Sequence, residues 1–107
     1  NNINNVDFYC GDLTKKNNDN QKFHVEKTVD ILIADPPRSG IHKKTIKKII
    51  EINPKKIIYV SCNPSTQVRD VKEFLLHGYY ISSTQAFDMF PHTHHIENII
   101  TMEKNGK

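Results

Sequence analysis

The stretch Val29-Asp30-Ile31-Leu32-Ile33-Ala34, followed directly by Asp35-Pro36-Pro37, decides the fold class of this chain. The run is apolar, rich in β-branched side chains and short, which is typical of a buried strand in a covered parallel sheet. Two prolines cannot continue the hydrogen bonds of a strand ladder, so the strand is expected to end at Asp35. The sequence therefore predicts a strand that delivers a polar loop at its carboxyl end.

Strands and helices alternate in the sequence that follows this stretch. A short strand is predicted before it at Val6–Cys10, and the polar segment Leu13–Lys27 between the two is predicted to be a loop. Later elements are predicted as a helix at 41–52, a strand at 56–61, a helix at 63–77, a strand from residue 79 and a closing strand at 96–102. Alternation of this kind predicts one α/β domain with a mostly parallel sheet. Since no helix separates the last two strands, we expect them to pair antiparallel at one edge.

Both helices show an apolar face at helical spacing. These faces are formed by Ile46, Ile49 and Ile50 in the first helix, and by Val68, Val71, Phe74 and Leu75 in the second. The first helix and the turn after it also carry a lysine cluster, predicted to be a solvated surface: Lys43, Lys44, Lys47, Lys48, Lys55 and Lys56.

Composition narrows the class of protein without deciding its function. The chain has 107 residues, a net charge of +3 and an isoelectric point near 8.9, which suits a polyanionic partner. No apolar run approaches the roughly 18 residues that a membrane span needs, and no secretion signal is recognisable. Two cysteines, Cys10 and Cys62, are expected to be free thiols in a reducing compartment, which predicts a cytoplasmic protein.

Polar groups follow the predicted strands where ligands bind in open α/β sheets, beyond the carboxyl ends. These groups are Asp12, Asp35-Pro36-Pro37-Arg38 and Ser61-Cys62-Asn63-Pro64. A further cluster runs from Asp88 to Glu97, between the last two strands. The topology thus predicts a carboxylate, an arginine and a thiol along one rim of the sheet.

Three of these segments resemble the RNA uridine-5-methyltransferases, which make 5-methyluridine in transfer RNA and in 23S ribosomal RNA. The matching motifs are Asp35-Pro36-Pro37-Arg38-Ser39-Gly40, then Ser61-Cys62-Asn63-Pro64 with Thr66 and Arg69-Asp70, and then Asp88-Met89-Phe90-Pro91-His92-Thr93 with His95-Ile96-Glu97. The resemblance covers residues 29–103. It implies that residues 1–107 are the C-terminal part of a Rossmann-like methyltransferase domain with an antiparallel edge strand, using S-adenosyl-L-methionine and acting on RNA.

The same resemblance implies roles for individual residues. Cys62 corresponds to the nucleophile and Glu97 to the base, while Asp35 borders the methionine end of the cofactor and the target base. Arg38 is expected to hold the active loop or the substrate, and Asp12 to contact the adenine part of the cofactor. Three further residues are expected to contact the substrate: Asn63, Phe90 and His92.

The chemistry explains why a thiol and a carboxylate are needed together. Carbon-5 of uracil is a poor nucleophile until a thiolate adds to carbon-6 and pushes electron density towards carbon-5. After the methyl group has been transferred, a base must remove the carbon-5 proton so that the thiol can leave. The target base is also expected to be extruded from the RNA stack.

Four alternative interpretations accompany this one. Zinc binding by Cys62 with His92, His94 and His95 is disfavoured, because adjacent histidines point apart on a strand and no ligand pair accompanies them. Cys10, in a Tyr-Cys-Gly segment that only echoes a cofactor loop, is expected to be a core residue. The chain could also be a non-catalytic RNA-binding or interaction fragment, or an amino-group methyltransferase that uses an Asp-Pro-Pro motif without a thiol.

The glycine-rich cofactor loop of this family is expected upstream of Asn1, since no Gly-x-Gly pattern occurs in the chain. We therefore expect the isolated 107 residues to expose one face of the sheet, to bind the cofactor weakly or not at all, to be inactive alone and to self-associate. Met89 and His92 favour a ribosomal RNA substrate, whereas the motif at Asp35–Gly40 and the Thr93-His94-His95 run favour transfer RNA, so that choice stays open.

Overall fold

A computed structural model of the chain describes residues 28–88 and 96–106. This part contains four strands and two helices. In chain order they are β1 (Ile31–Ala34), α1 (Lys43–Ile52), β2 (Lys56–Ser61), α2 (Pro64–Leu75), β3 (Tyr79–Asp88) and β4 (Ile96–Lys104). The strand predicted at Val6–Cys10 and the loop predicted at Leu13–Lys27 lie outside the described residues.

The four strands form one mixed sheet in the order β1-β2-β4-β3. β1 and β2 are parallel, with Ile31 opposite Lys56, whereas β4 runs antiparallel to both of its neighbours, β2 and β3. The predicted α/β class and the antiparallel pairing of the last two strands at one edge are confirmed. β4, however, lies between β2 and β3, so the edge of the sheet is formed by β3.

Local sequence explains where both helices begin and end. The His42 side chain accepts a hydrogen bond from the Lys44 N–H at the start of α1, and Asn53 ends this helix in the left-handed conformation at φ 58°. α2 starts with Asn63 as its N-cap and Pro64 in the first turn, where the missing N–H of proline costs little. These helices match the predicted ones to within about two residues.

Both helices contribute to a single core on one face of the sheet. Its fully buried centre includes Ile57 and Tyr59 from β2, Phe74 from α2 and Met102 from β4. Side chains alternate across a strand, so Ile57, Tyr59 and Ser61 point into this core. Residues 58, 60 and 62 belong to the other face of the sheet.

Two sequence predictions about burial need correction. Ile33 of β1 is 68% exposed, because β1 has its helix-packed side chains at alternate positions and presents the others outward. The stripe of α2 that faces the sheet is also shifted by one position from the predicted one. It consists of Gln67, Asp70, Val71 and Phe74, and leaves Val68 and Leu75 exposed. Two polar side chains occupy this buried stripe because each is fully hydrogen-bonded there.

Candidate active site

Cys62 is the first residue after β2 and the last before the cap of α2. It is half-buried and carries a free thiol. Two hydrogen bonds between Ser61 and Asn63 close the turn around Cys62. Ser61 Oγ accepts from the Asn63 N–H at 2.9 Å and donates to the Asn63 carbonyl at 3.1 Å. The Asn63 side chain then accepts from the Ser65 N–H at 3.1 Å. Cys62 therefore lies in a rigid turn at the carboxyl end of a central strand.

Glu97 lies on β4, next to this turn in the sheet. The last paired residues of β2 and β4 are Ser61 and Asn98, so the next positions outward are Cys62, directly after β2, and Glu97 on β4. Directly opposed residues in an antiparallel pair have Cα atoms about 4.5–5.5 Å apart and project to the same face. Continued by one position beyond the paired residues, this register assigns Cys62 and Glu97 to neighbouring places on the face of the sheet opposite the helices.

One carboxylate oxygen of Glu97 has no hydrogen-bond partner. Within residues 28–88 and 96–106, Oε2 of Glu97 is buried and unpartnered, although the side chain as a whole is half-buried. Buried polar atoms are nearly always hydrogen-bonded in native proteins, so an oxygen of this kind is a candidate to bind a ligand, a water or an ion. An acceptor held in this way is suited to receive a proton from a ligand.

The loop that contains Asp35 and Arg38 connects β1 to α1 and packs on α2. Its Arg38 carbonyl accepts hydrogen bonds from Asn63 Nδ2 at 3.1 Å and from Thr66 Oγ1 at 2.9 Å. The side chains of Asp35 and Arg38 are exposed. Strand alternation, continued past Ala34, assigns Asp35 to the same face of the sheet as Cys62. The loop is therefore anchored through its backbone and leaves these two charged side chains accessible.

A buried carboxylate fixes the far end of this loop. Asp70 is 1% exposed; its Oδ2 accepts from the Ile41 N–H at 2.7 Å and from the Tyr59 hydroxyl at 2.6 Å. Its Oδ1 accepts from Arg69, whose Nη2 also donates to the Ser39 carbonyl at 2.8 Å. Burial, and then the hydrogen bond to Asp70, raises the pKa of Tyr59 above its ordinary value. The phenol therefore stays protonated and continues to donate to Asp70.

Sequence reasoning missed Gln67 and Asn98. Gln67 is completely buried beneath the sheet, where its amide bonds to β2 and to Asn98 on β4. The only signal in the sequence was a glutamine between Thr66 and Val68, one position away from the predicted apolar stripe. A polar residue at that position reads as solvent-exposed unless its partners on other strands are known.

The structure brings together some of the predicted site residues and leaves others undescribed. Cys62, Glu97, Asp35, Arg38 and Asn63 lie along one rim, and Asn63 caps α2 and anchors the loop. The other predicted contacts lie outside the described residues: Asp12, Phe90 and His92. Cys10 and the histidines of the zinc alternative, His94 and His95, lie outside them as well.

Within residues 28–88 and 96–106, no three of the His, Cys, Asp and Glu side chains are grouped so that they could hold a metal ion. No helix in the described ranges is long and apolar enough to cross a membrane.

The fold and the sequence of this chain are both similar to those of known methyltransferases. The fold resembles the structure of the Pyrococcus abyssi tRNA (uracil-54, C5)-methyltransferase in complex with S-adenosyl-L-homocysteine, with a TM-score of 0.60 and 45% identity over 68% of this chain and 18% of that one. That likeness defines the class of the fold, part of an α/β methyltransferase domain.

The family model for tRNA (uracil-5-)-methyltransferases matches residues 2–105. Relatives described as uncharacterized RNA methyltransferases are 46% identical in Bacteroides thetaiotaomicron, over 96% of this chain, and 41% identical in Caldanaerobacter subterraneus, over 98%. The chain belongs to the tRNA (uracil-5-)-methyltransferase family. It spans 22% of the length of these two relatives.

Proposed function

We propose that this chain carries the catalytic residues of an enzyme that methylates carbon-5 of a uridine in RNA, with Cys62 as nucleophile and Glu97 as base. The observation that carries the proposal is the register of β2 and β4. Ser61 pairs with Asn98, and the next positions outward are Cys62 and Glu97, which the register assigns to the face of the sheet opposite the helices. The Oε2 atom of Glu97, which is buried and has no partner among the described residues, supports it further. A thiol and a proton acceptor side by side are what addition to uracil and its reversal require.

Cys62 and Glu97 each have a defined role in this scheme. The Cys62 thiolate forms a bond to carbon-6 of uracil, and the electron pair of the carbon-5–carbon-6 double bond moves towards carbon-5 and the ring carbonyl. After methylation of carbon-5, Glu97 accepts the proton from carbon-5. The electron pair of that C–H bond restores the double bond, the Sγ–carbon-6 bond breaks, and the thiolate returns.

The methyl group would come from S-adenosyl-L-methionine, which supplies an electrophilic carbon attached to a sulfonium when it is bound. Among the described residues, Asp35 is the one that fits this group. Its carboxylate is exposed at the end of β1, on the rim that carries Cys62, and its negative charge suits a cationic sulfonium. Asp12 is proposed to contact the adenine.

The substrate is proposed to be a uridine in RNA, with transfer RNA as the first candidate and ribosomal RNA as the second. The name of the family and that of the Pyrococcus abyssi protein support this order. The expected cytoplasmic location, the inactivity of the isolated chain and its self-association remain predictions.

RNA carrying 5-fluorouridine tests the proposed mechanism in the full-length protein. Fluorine at carbon-5 cannot be removed as a proton, so the adduct should persist through denaturing electrophoresis. We expect this adduct with the unaltered protein and with Cys10→Ala, the matched cysteine control, and none with Cys62→Ala. Presenting transfer RNA and 23S ribosomal RNA separately identifies the substrate.

Two results would favour the alternatives. Full methylation activity in Cys62→Ser would indicate an amino-group methyltransferase that needs no thiol. RNA binding without methylation or adduct formation, in the unaltered protein supplied with cofactor, would indicate a non-catalytic RNA-binding protein.

A further inference from the structure

Gln67 is a fully buried glutamine whose amide is completely hydrogen-bonded to β2, the strand that ends just before Cys62, and to β4, the strand that carries Glu97. Its Nε2 donates to the Tyr59 carbonyl on β2 and to the Asn98 carbonyl on β4, both at 3.0 Å. Its Oε1 accepts from Asn98 Nδ2 at 2.7 Å. Because both amide hydrogens and the oxygen are engaged, the orientation of the side chain is fixed.

These bonds reach the backbone of β4 directly next to Glu97, and that of β2 at Tyr59, three residues before Cys62. Asn98 follows Glu97 in the chain and pairs with Ser61, the residue before Cys62. Asn98 and Ser61 belong to the helix-facing side of the sheet, whereas Glu97 and Cys62 belong to the opposite side. Gln67 therefore acts from behind the sheet, where it holds main-chain atoms and touches neither reactive group.

A buried amide at this position lowers the stability of the fold unless all of its hydrogen bonds are made. An apolar side chain would fill the same place in the α2 stripe, between the sheet and the neighbouring core residues Val71 and Phe74. Burying an amide is tolerated only when its hydrogen bonds are made, and losing one partner leaves the other unsatisfied. The geometry thus favours a role in fixing the position of β4 against β2.

We infer that Gln67 and Asn98 form a positioning pair that holds the Glu97 carboxylate where it can remove the carbon-5 proton from the Cys62-bound uracil. The inference rests on the proposed function and deepens it. Cys62 has its own support from Ser61 and Asn63, so the pair governs the base more than the nucleophile. Loss of the pair should leave the Sγ–carbon-6 bond free to form and slow the step that breaks it.

The test follows the covalent intermediate in single turnover, using the full-length protein, S-adenosyl-L-methionine and RNA with ordinary uridine tritiated at carbon-5. Two variants are compared. Gln67→Met keeps a side chain of similar length and removes the amide. Asn98→Ala removes only the 2.7 Å bond and keeps both bonds from Gln67 to main-chain carbonyls, which protects folding.

In both variants we expect adduct formation at a rate within about threefold of the unaltered protein. Decay of the adduct and release of tritium should be slowed on the order of tenfold to a hundredfold, the size expected when a catalytic group is misplaced by about 1 Å. The adduct should therefore accumulate on a substrate that the unaltered protein turns over, while the Kd for RNA stays nearly constant.

Tyr79→Phe is the matched control. It also removes a buried hydrogen bond, from the Tyr79 hydroxyl to the Pro54 carbonyl at 2.6 Å, but at the other end of the sheet. Its adduct should decay at the rate of the unaltered protein. Decay at that rate in both Gln67→Met and Asn98→Ala, or equal slowing in Tyr79→Phe, would overturn the inference and leave the proposed function intact. Absence of any adduct in the unaltered protein with 5-fluorouridine RNA would instead remove the proposed function, and this inference with it.

Discussion

Replacing Gly40 by alanine tests whether α2 holds the loop between β1 and α1 as tightly as the contacts indicate. Gly40 has φ +87°, and an added Cβ would lie 2.5 Å from Arg69 Nη2, 2.6 Å from Asp70 Oδ2 and 3.1 Å from Thr66 Cβ. Arg69 can move because its guanidinium is at the end of a long side chain. Asp70 cannot move without losing its bonds to Ile41 and Tyr59.

Two costs add in this variant. An alanine in the left-handed region costs about 1–2 kcal/mol, and overpacking against a fixed group costs about 1–3 kcal/mol more. Gly40→Ala should therefore lower the free energy of unfolding, measured by urea denaturation of the purified protein, by about 2–5 kcal/mol. Gly78→Ala supplies the control, since Gly78 has φ +92° but its nearest neighbour is the flexible end of Lys104 at 3.4 Å. This variant should lose only about 1–2 kcal/mol. Equal losses in the two variants would refute the packing of Asp70 and Arg69 against the loop.

Two further predictions concern ionisable residues. Burial raises the pKa of Tyr79, so above about pH 10 the unfolded chain releases this proton before the folded chain does. The free energy of unfolding therefore falls as pH rises. In urea denaturation at pH 10–11, this fall should be smaller in Tyr79→Phe than in the unaltered protein, by up to about 1.4 kcal/mol per pH unit. Equal falls in the two proteins would contradict the raised pKa of Tyr79. The first turn of α1 has no acidic residue, so Lys43→Glu with Lys44→Glu should raise the free energy of unfolding by about 0.6–2 kcal/mol through the helix dipole. The control is Lys55→Glu, at an exposed ion pair with Asp30, which should change the free energy of unfolding by less than about 1 kcal/mol. A lower free energy of unfolding in the double variant Lys43→Glu with Lys44→Glu would contradict the start of α1 at Lys43.

Local sequence predicted the elements well and their arrangement less well. Caps and breakers such as Asn53-Pro54 and Asn63-Pro64 act within a few residues, so the ends of the helices could be located from sequence. Insertion of β4 between β2 and β3 depends on contacts between residues far apart in the chain, which periodicity does not encode. The shifted stripe of α2 has a related cause. Apolar spacing counts hydrophobic side chains, and it cannot identify a buried polar residue, such as Gln67, whose partners lie on other strands.

The candidate site was predicted from motifs, and the structure divides those motifs into two physical groups. Thr66, Arg69 and Asp70 lie behind the loop between β1 and α1, where they hold its backbone through hydrogen bonds. They resemble site residues in sequence, yet their bonds are made within the protein.

Cys62 and Glu97 differ from that group in how their polar atoms are satisfied. They belong to the opposite face of the sheet, and among the described residues the buried oxygen without a partner is on Glu97. Polar atoms that are satisfied internally stabilise a fold, whereas an acceptor left open beside a free thiol costs stability unless a ligand completes it. In the proposed function, a uracil ring between these two side chains would bring the carbon that the thiol attacks and, after methylation, the carbon-5 proton that Glu97 removes.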